Sequence, residues 1–248
     1  MTTPASGPSA GALPRRTPSD EPVPWRTLAL FVPYLIVLVI HLVALAVGPA
    51  TLVYPTKLAL MPALAVGVSV VSRGLARRAR ATIALLLLAL AFSWLGDGAA
   101  WFFPFLADEL PAMLACFGVA HVLYIVLFVR LARGARPRAR LPRWTLVYAV
   151  WWIAMIAVLW PHLGALAIGV ALYGLVLGGT AAAASLGSRA TALGGLLFLA
   201  SDTLLALRLF LPGAADVIGD VAVMATYGLG QFLLAAGVIA LLRRGSAR

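Results

Sequence analysis

Eight apolar runs of bilayer-spanning length, separated by short breaks that collect the arginines, constrain this chain more than any other feature. A hydrocarbon core of about 30 Å is crossed by about 20 apolar residues in a helix, since every backbone polar group must then be satisfied within the segment. The runs cover residues 28–46, 55–71, 82–100, 112–130, 144–160, 164–186, 190–211 and 219–242. The break at 161–163 is the weakest, but joining its neighbours leaves about forty apolar residues, too many for one crossing. The first run exceeds the roughly 7–15-residue core of a cleaved signal peptide and is read as a helix that stays. The expectation is an all-α polytopic transmembrane bundle of about eight helices over residues 25–243. Residues 1–24, rich in Pro, Ser, Thr and Gly, read as a disordered tail, and 244–248 as a short cytoplasmic tail.

Composition agrees, because 63% hydrophobic and 11% charged residues leave too little polar surface for a water-soluble globule. The formal charge of +11 does not point to nucleic acid, because the arginines sit in the breaks, where they orient helices. Arg15, Arg16 and Arg26 precede the first run; Arg73, Arg77, Arg78 and Arg80 follow the second; Arg133, Arg136, Arg138, Arg140 and Arg143 follow the fourth. Arg189 follows the sixth, and Arg243, Arg244 and Arg248 close the chain. The alternate breaks carry Asp108, Glu109, Asp216 and Asp220, with Arg208 able to snorkel from the seventh run. Both termini are therefore expected in the cytoplasm, with the bundle in the cell membrane. Cys116 is the single cysteine, so no intramolecular disulfide can form.

The third run contains FSWLGD and the seventh FLASD, while the fourth contains FGVAHVLY and the eighth YGLGQFLL. These pairs suggest a four-plus-four duplication with parallel halves, placing Asp97 and Asp202 at equivalent positions.

Within the runs the ionisable residues are His41, Lys57, Asp97, His121 and Asp202, and Lys57 is the single lysine. A charge at a helix centre costs about 2.5–3.5 kcal/mol on insertion scales, so such residues face protein or a wet cavity and are functional candidates. Ser93 lies one turn before Asp97, Tyr124 three residues after His121, and Gln231 four after Tyr227, giving each helix one polar stripe. Tyr173 on the sixth run joins the candidates for substrate binding. Plainer readings stand beside these. His41 reads equally as an interfacial histidine, Lys57 as a snorkelling lysine, and Tyr227 and Gln231 as interhelical hydrogen-bond partners.

The succession of Lys57, FSWLGD ending at Asp97, CFGVAHVLYIVLF with His121 and Tyr124, GGLLFLASD ending at Asp202, and YGLGQ ending at Gln231 resembles the YhhN-like lysoplasmalogenase family over about residues 54–236. Where members of that family usually show Lys-Pro, this chain has Lys57-Leu58, with prolines at Pro55 and Pro62 instead. The resemblance implies an integral membrane enzyme that hydrolyses the vinyl ether of lysoplasmalogens to a fatty aldehyde and a glycerophospho-ethanolamine or -choline. It implies a lysophospholipid substrate and no cofactor.

That chemistry suits paired acids. A vinyl ether reacts once a proton reaches the carbon beta to oxygen, and the oxocarbenium ion so formed is captured by water. Such a site needs one protonated acid and one carboxylate to stabilise positive charge and orient water. Asp97 and Asp202 are the expected pair, with His121 and Tyr124 orienting them or the water. Lys57 is placed to hold a phosphate or bias the acids, and Ser93, Tyr173, Tyr227 and Gln231 to line the substrate site. The alternative in another class is a proton-coupled transporter, which also uses intramembrane Asp and His. A metal hydrolase lacks an HxxxH-type pair, and a serine hydrolase lacks a GxSxG elbow.

Overall fold

A computed structural model of the chain describes residues 29–75, 77–135 and 138–246. The expected tail 1–24, the start of the first run, and Arg15, Arg16, Arg26, Arg136 and Arg248 lie outside the described residues. The elements are all helical: α1 Val32–Val47, α2 Ala50–Ser72, α3 Arg80–Asp97, α4 Leu110–Ala135, α5 Val147–Leu159, α6 Ala167–Ala184, α7 Arg189–Phe210 and α8 Asp220–Ser246. Short 3₁₀ turns lengthen α5 and α6 to Arg143–His162 and Gly164–Ala184, and a single helical turn, Ala99–Phe102, follows α3.

Among the described residues seven helices are long and apolar enough to cross a membrane, while α1 is apolar but only 16 residues long. It ends where Pro49 forces Gly48 into an extended conformation, and α2 starts at once on the other side of that break. The outward faces are apolar: Val66, Val150, Ile153 and Ile168 are 62%, 65%, 62% and 71% exposed. Bare aliphatic surface of that kind is compatible with lipid and not with water, so the chain is an integral membrane protein.

Packing follows chain order within each half, α1 on α2, α2 on α3, α3 on α4, then α5 on α6, α6 on α7, α7 on α8. The halves join where α4 lies on α6 and α8 on α2, with α1 also against α8. The α4–α6 and α8–α2 contacts correspond under a shift of four helices, whereas the α1–α8 contact has no counterpart of similar extent between α5 and α4.

Two local features set the approach of the helices that matter most. Pro62 has no N–H for the Leu58 carbonyl one turn back, and the Trp94 indole N–H of α3 donates to that freed oxygen at 2.9 Å. The proline thus creates the acceptor that ties α2 to α3 three residues before Asp97. Between α7 and α8 the backbones themselves touch. A Cβ on Gly194 would come within 2.8 Å of the Leu234 nitrogen, and one on Gly230 within 2.9 Å of the Phe198 nitrogen. Small residues at such a crossing let two membrane helices pack closely without an aqueous driving force.

Candidate active site

The last residue of α3, Asp97, and Asp202 in α7 border one cavity of about 310 Å³. Both are buried, 6% and 9% exposed. Every other helix except α5 also contributes to the cavity, and most of its wall is aliphatic or aromatic, including Leu114, Phe117, Leu205 and Met224.

Asp97 is held from two sides. The Tyr227 hydroxyl of α8 donates to its Oδ2 at 2.7 Å, and the Lys57 ammonium of α2 stands 3.9 Å from its Oδ1. The sequence placed prolines around Lys57 differently from the resembling family, yet α2 still brings this lysine to the acid. The Pro62–Trp94 tie described above fixes the register of the two helices.

Asp202 has a matching set from the other half of the bundle. The Tyr173 hydroxyl of α6 donates to its Oδ2, and His121 Nε2 of α4 lies 3.5 Å from that oxygen and 3.2 Å from the Tyr173 oxygen. His121 Nδ1 lies 3.2 Å from Thr180 Oγ1, whose hydroxyl also reaches the carbonyl oxygens of Val176 at 3.0 Å and His121 at 3.1 Å. A hydroxyl has one hydrogen, and carbonyls accept it only. Thr180 therefore accepts from Nδ1–H, and Nε2 is the nitrogen that shares a proton with Asp202. The acids are served crosswise: Asp97 of the first half by a residue of α8, Asp202 of the second by one of α4.

Of the residues expected at the site, Asp97, Asp202, Lys57, Tyr173 and Tyr227 border the cavity, and His121 reaches it through Asp202. Tyr124, Gln231 and Ser93 lie beneath it in a fully buried chain, Tyr124 donating to Gln231 Oε1 at 2.6 Å and Gln231 Nε2 to Ser93 Oγ at 3.1 Å. Tyr124, expected to orient the acids or water, bonds neither carboxylate and instead locks α4 to α8. Besides Tyr54, which borders the cavity three residues before Lys57, two polar residues of the site escaped the sequence reading. Ser201 borders the cavity and donates to the Val223 carbonyl at 2.9 Å, tying α7 to α8. Thr180 stands two helical turns after Tyr173, a spacing that marks one face of α6.

Chemically the otherwise apolar cavity is bordered by the carboxyl groups of Asp97, Asp202 and Asp220, the hydroxyls of Tyr54, Tyr173 and Tyr227, the His41 imidazole and the Lys57 ammonium, with His121 behind Asp202. An amphiphile with one charged group and a long chain matches that distribution. The YhhN family matches the chain over residues 52–238, from the first turn of α2 to late in α8. No curated protein and no solved structure matches it. With most of α2 to α8 inside the matched segment, and all of the cavity wall but the part built by α1, the chain belongs to the YhhN family.

Proposed function

We propose that this protein hydrolyses the vinyl ether bond of lysoplasmalogens, releasing a fatty aldehyde and a glycerophospho-ethanolamine or -choline. The observation that carries the reading is the opening of Asp97 and Asp202 onto one mostly apolar cavity inside a membrane bundle. Family membership supports it, since the YhhN family is known for lysoplasmalogenase activity.

The two acids divide the work by their neighbours. Asp202 delivers the proton to the vinyl carbon beta to oxygen, because its neighbours are the Tyr173 hydroxyl and the His121 imidazole, whereas the Lys57 ammonium stands beside Asp97 and favours the charged form there. Asp97, anionic beside Lys57, stabilises the oxocarbenium ion, directs water to it and takes the proton that water releases. The hemiacetal hydroxyl then returns a proton to Asp202, the bond between carbon and the glycerol oxygen breaks, and Asp97 protonates the departing oxygen. One water is consumed and both acids end as they began. The Lys57 side chain keeps 30% exposure and so reaches a substrate phosphate while staying near Asp97.

Purified protein in detergent is expected to release aldehyde from lysoplasmalogen and none from the saturated 1-O-alkyl analogue. Asp97→Asn and Asp202→Asn are each expected to lower turnover by about 100-fold or more. Folded variants that keep wild-type turnover would remove the acid pair from the mechanism. A transporter, in detergent with no second compartment, would yield no aldehyde at all.

A further inference from the structure

His41 belongs to α1, outside the segment that the family match covers, and it borders the same cavity as the two acids. The residue is fully buried, and its Nε2 has no hydrogen-bond partner. The other ring nitrogen, Nδ1, lies 2.9 Å from Thr56 Oγ1.

The Thr56 hydroxyl settles which nitrogen carries the hydrogen. Its oxygen stands 2.6 Å from the Leu52 carbonyl oxygen and 3.1 Å from that of Val53, and two oxygens approach so closely only with a hydrogen between them. That hydrogen is the single one the hydroxyl owns, so Thr56 can meet the ring only as an acceptor. Nδ1 therefore carries the ring hydrogen, and neutral His41 presents a bare lone pair at Nε2. A buried acceptor of this kind is costly unless a donor reaches it.

Its level in the bundle narrows the donor. His41, Lys57, Tyr173 and Tyr227 each lie six or seven residues inside one end of their helices, so His41 sits at a depth like that of the residues that hold the two acids. Thr56, which holds the ring, is the chain neighbour of Lys57. In a lysolipid whose phosphate lies at Lys57 and whose ether carbon lies at the acids, the intervening donor is the free hydroxyl on the central glycerol carbon. We propose that His41 Nε2 accepts a hydrogen bond from this hydroxyl, and so selects lipids that carry a hydroxyl next to the ether. The assignment rests on the lysolipid reading of the cavity.

Binding separates the two ideas. The protein in detergent is titrated calorimetrically with a saturated 1-O-alkyl lysophospholipid and with its 2-deoxy analogue, neither of which can be hydrolysed at a vinyl ether. The hydroxyl is expected to strengthen binding roughly tenfold, the worth of one hydrogen bond between neutral groups. His41→Phe is expected to bring the two lipids within about twofold, and Thr56→Val, which frees the ring to turn over, to narrow the gap. Equal binding of both lipids to the unaltered protein overturns the proposal, as does binding of neither, or a preference that survives His41→Phe. If vinyl ether hydrolysis is present and the preference absent, His41 is misassigned and the activity stands. If the preference is present and hydrolysis absent, the subsite stands and the reaction is wrong.

Discussion

Tyr173 and Tyr124 are both buried and both donate to an oxygen, but they serve different ends. Tyr173 donates to Asp202, so Tyr173→Phe is expected to lower kcat about tenfold while leaving KM within about twofold, checked by steady-state aldehyde release. Tyr124 donates to Gln231, so Tyr124→Phe is expected to cost about 1–3 kcal/mol of stability, read from thermal melting in detergent. The folded fraction of that variant should turn over substrate as the parent does. The ionisable set was legible because acids, lysine and histidine are rare in apolar runs and stand out wherever they occur. Their partners were not. His121 and Tyr124 read as one polar stripe, yet three residues rotate a helix by about 300°, enough to aim His121 at α6 and α7 and Tyr124 at α8. The sequence supplies the angle between two side chains but not which neighbouring helix fills each seam.

At the scale of elements, the crossing of α7 and α8 is the most exacting. Asp202 and Tyr227 sit on these two helices, and the glycines at their contact leave no room for a methyl group. Because the obstacles are backbone atoms and not flexible side chains, Gly194→Ala and Gly230→Ala are each expected to destabilise by about 1–3 kcal/mol. The two effects should fall short of additive when combined, since either one forces the same separation; melting curves of the single and double variants check this. The apolar runs fixed the number and order of helices well, being set by bilayer thickness. The ends were harder. The third run was expected to continue to residue 100, whereas α3 stops at Asp97 and turns before Ala99–Phe102. Hydropathy does not register that turn, because Gly98 to Phe102 is apolar on either path. The use of Trp94 as partner to the carbonyl released by Pro62 was equally hidden, because a proline announces a free acceptor but not its donor.

At the scale of the whole molecule, arginines and acids mark opposite ends of the bundle. Arg73, Arg80, Arg133, Arg143, Arg189 and Arg243 lie at one end of their helices, and Asp108, Glu109, Asp216 and Asp220 at the other. The cavity belongs to the acidic end, where Leu110, Phe210 and Asp220 border it. With the arginines held inside, a fluorescent reporter fused after residue 248 is expected to sit in the cytoplasm, and alkaline phosphatase fused there to be inactive. The opposite result would turn the cavity to the cytoplasmic face.

The short first helix gives the chamber a dependence on sequence that the family-matched segment does not advertise. Tyr34 of α1 donates to the Gly228 carbonyl of α8 at 2.7 Å, fastening the helix at the chain neighbour of Tyr227. A chain trimmed to residues 52–238 would keep both acids and their tyrosines, yet it would lack one side of the vessel. Acyl chains from the surrounding leaflet could then flood the space reserved for a single guest.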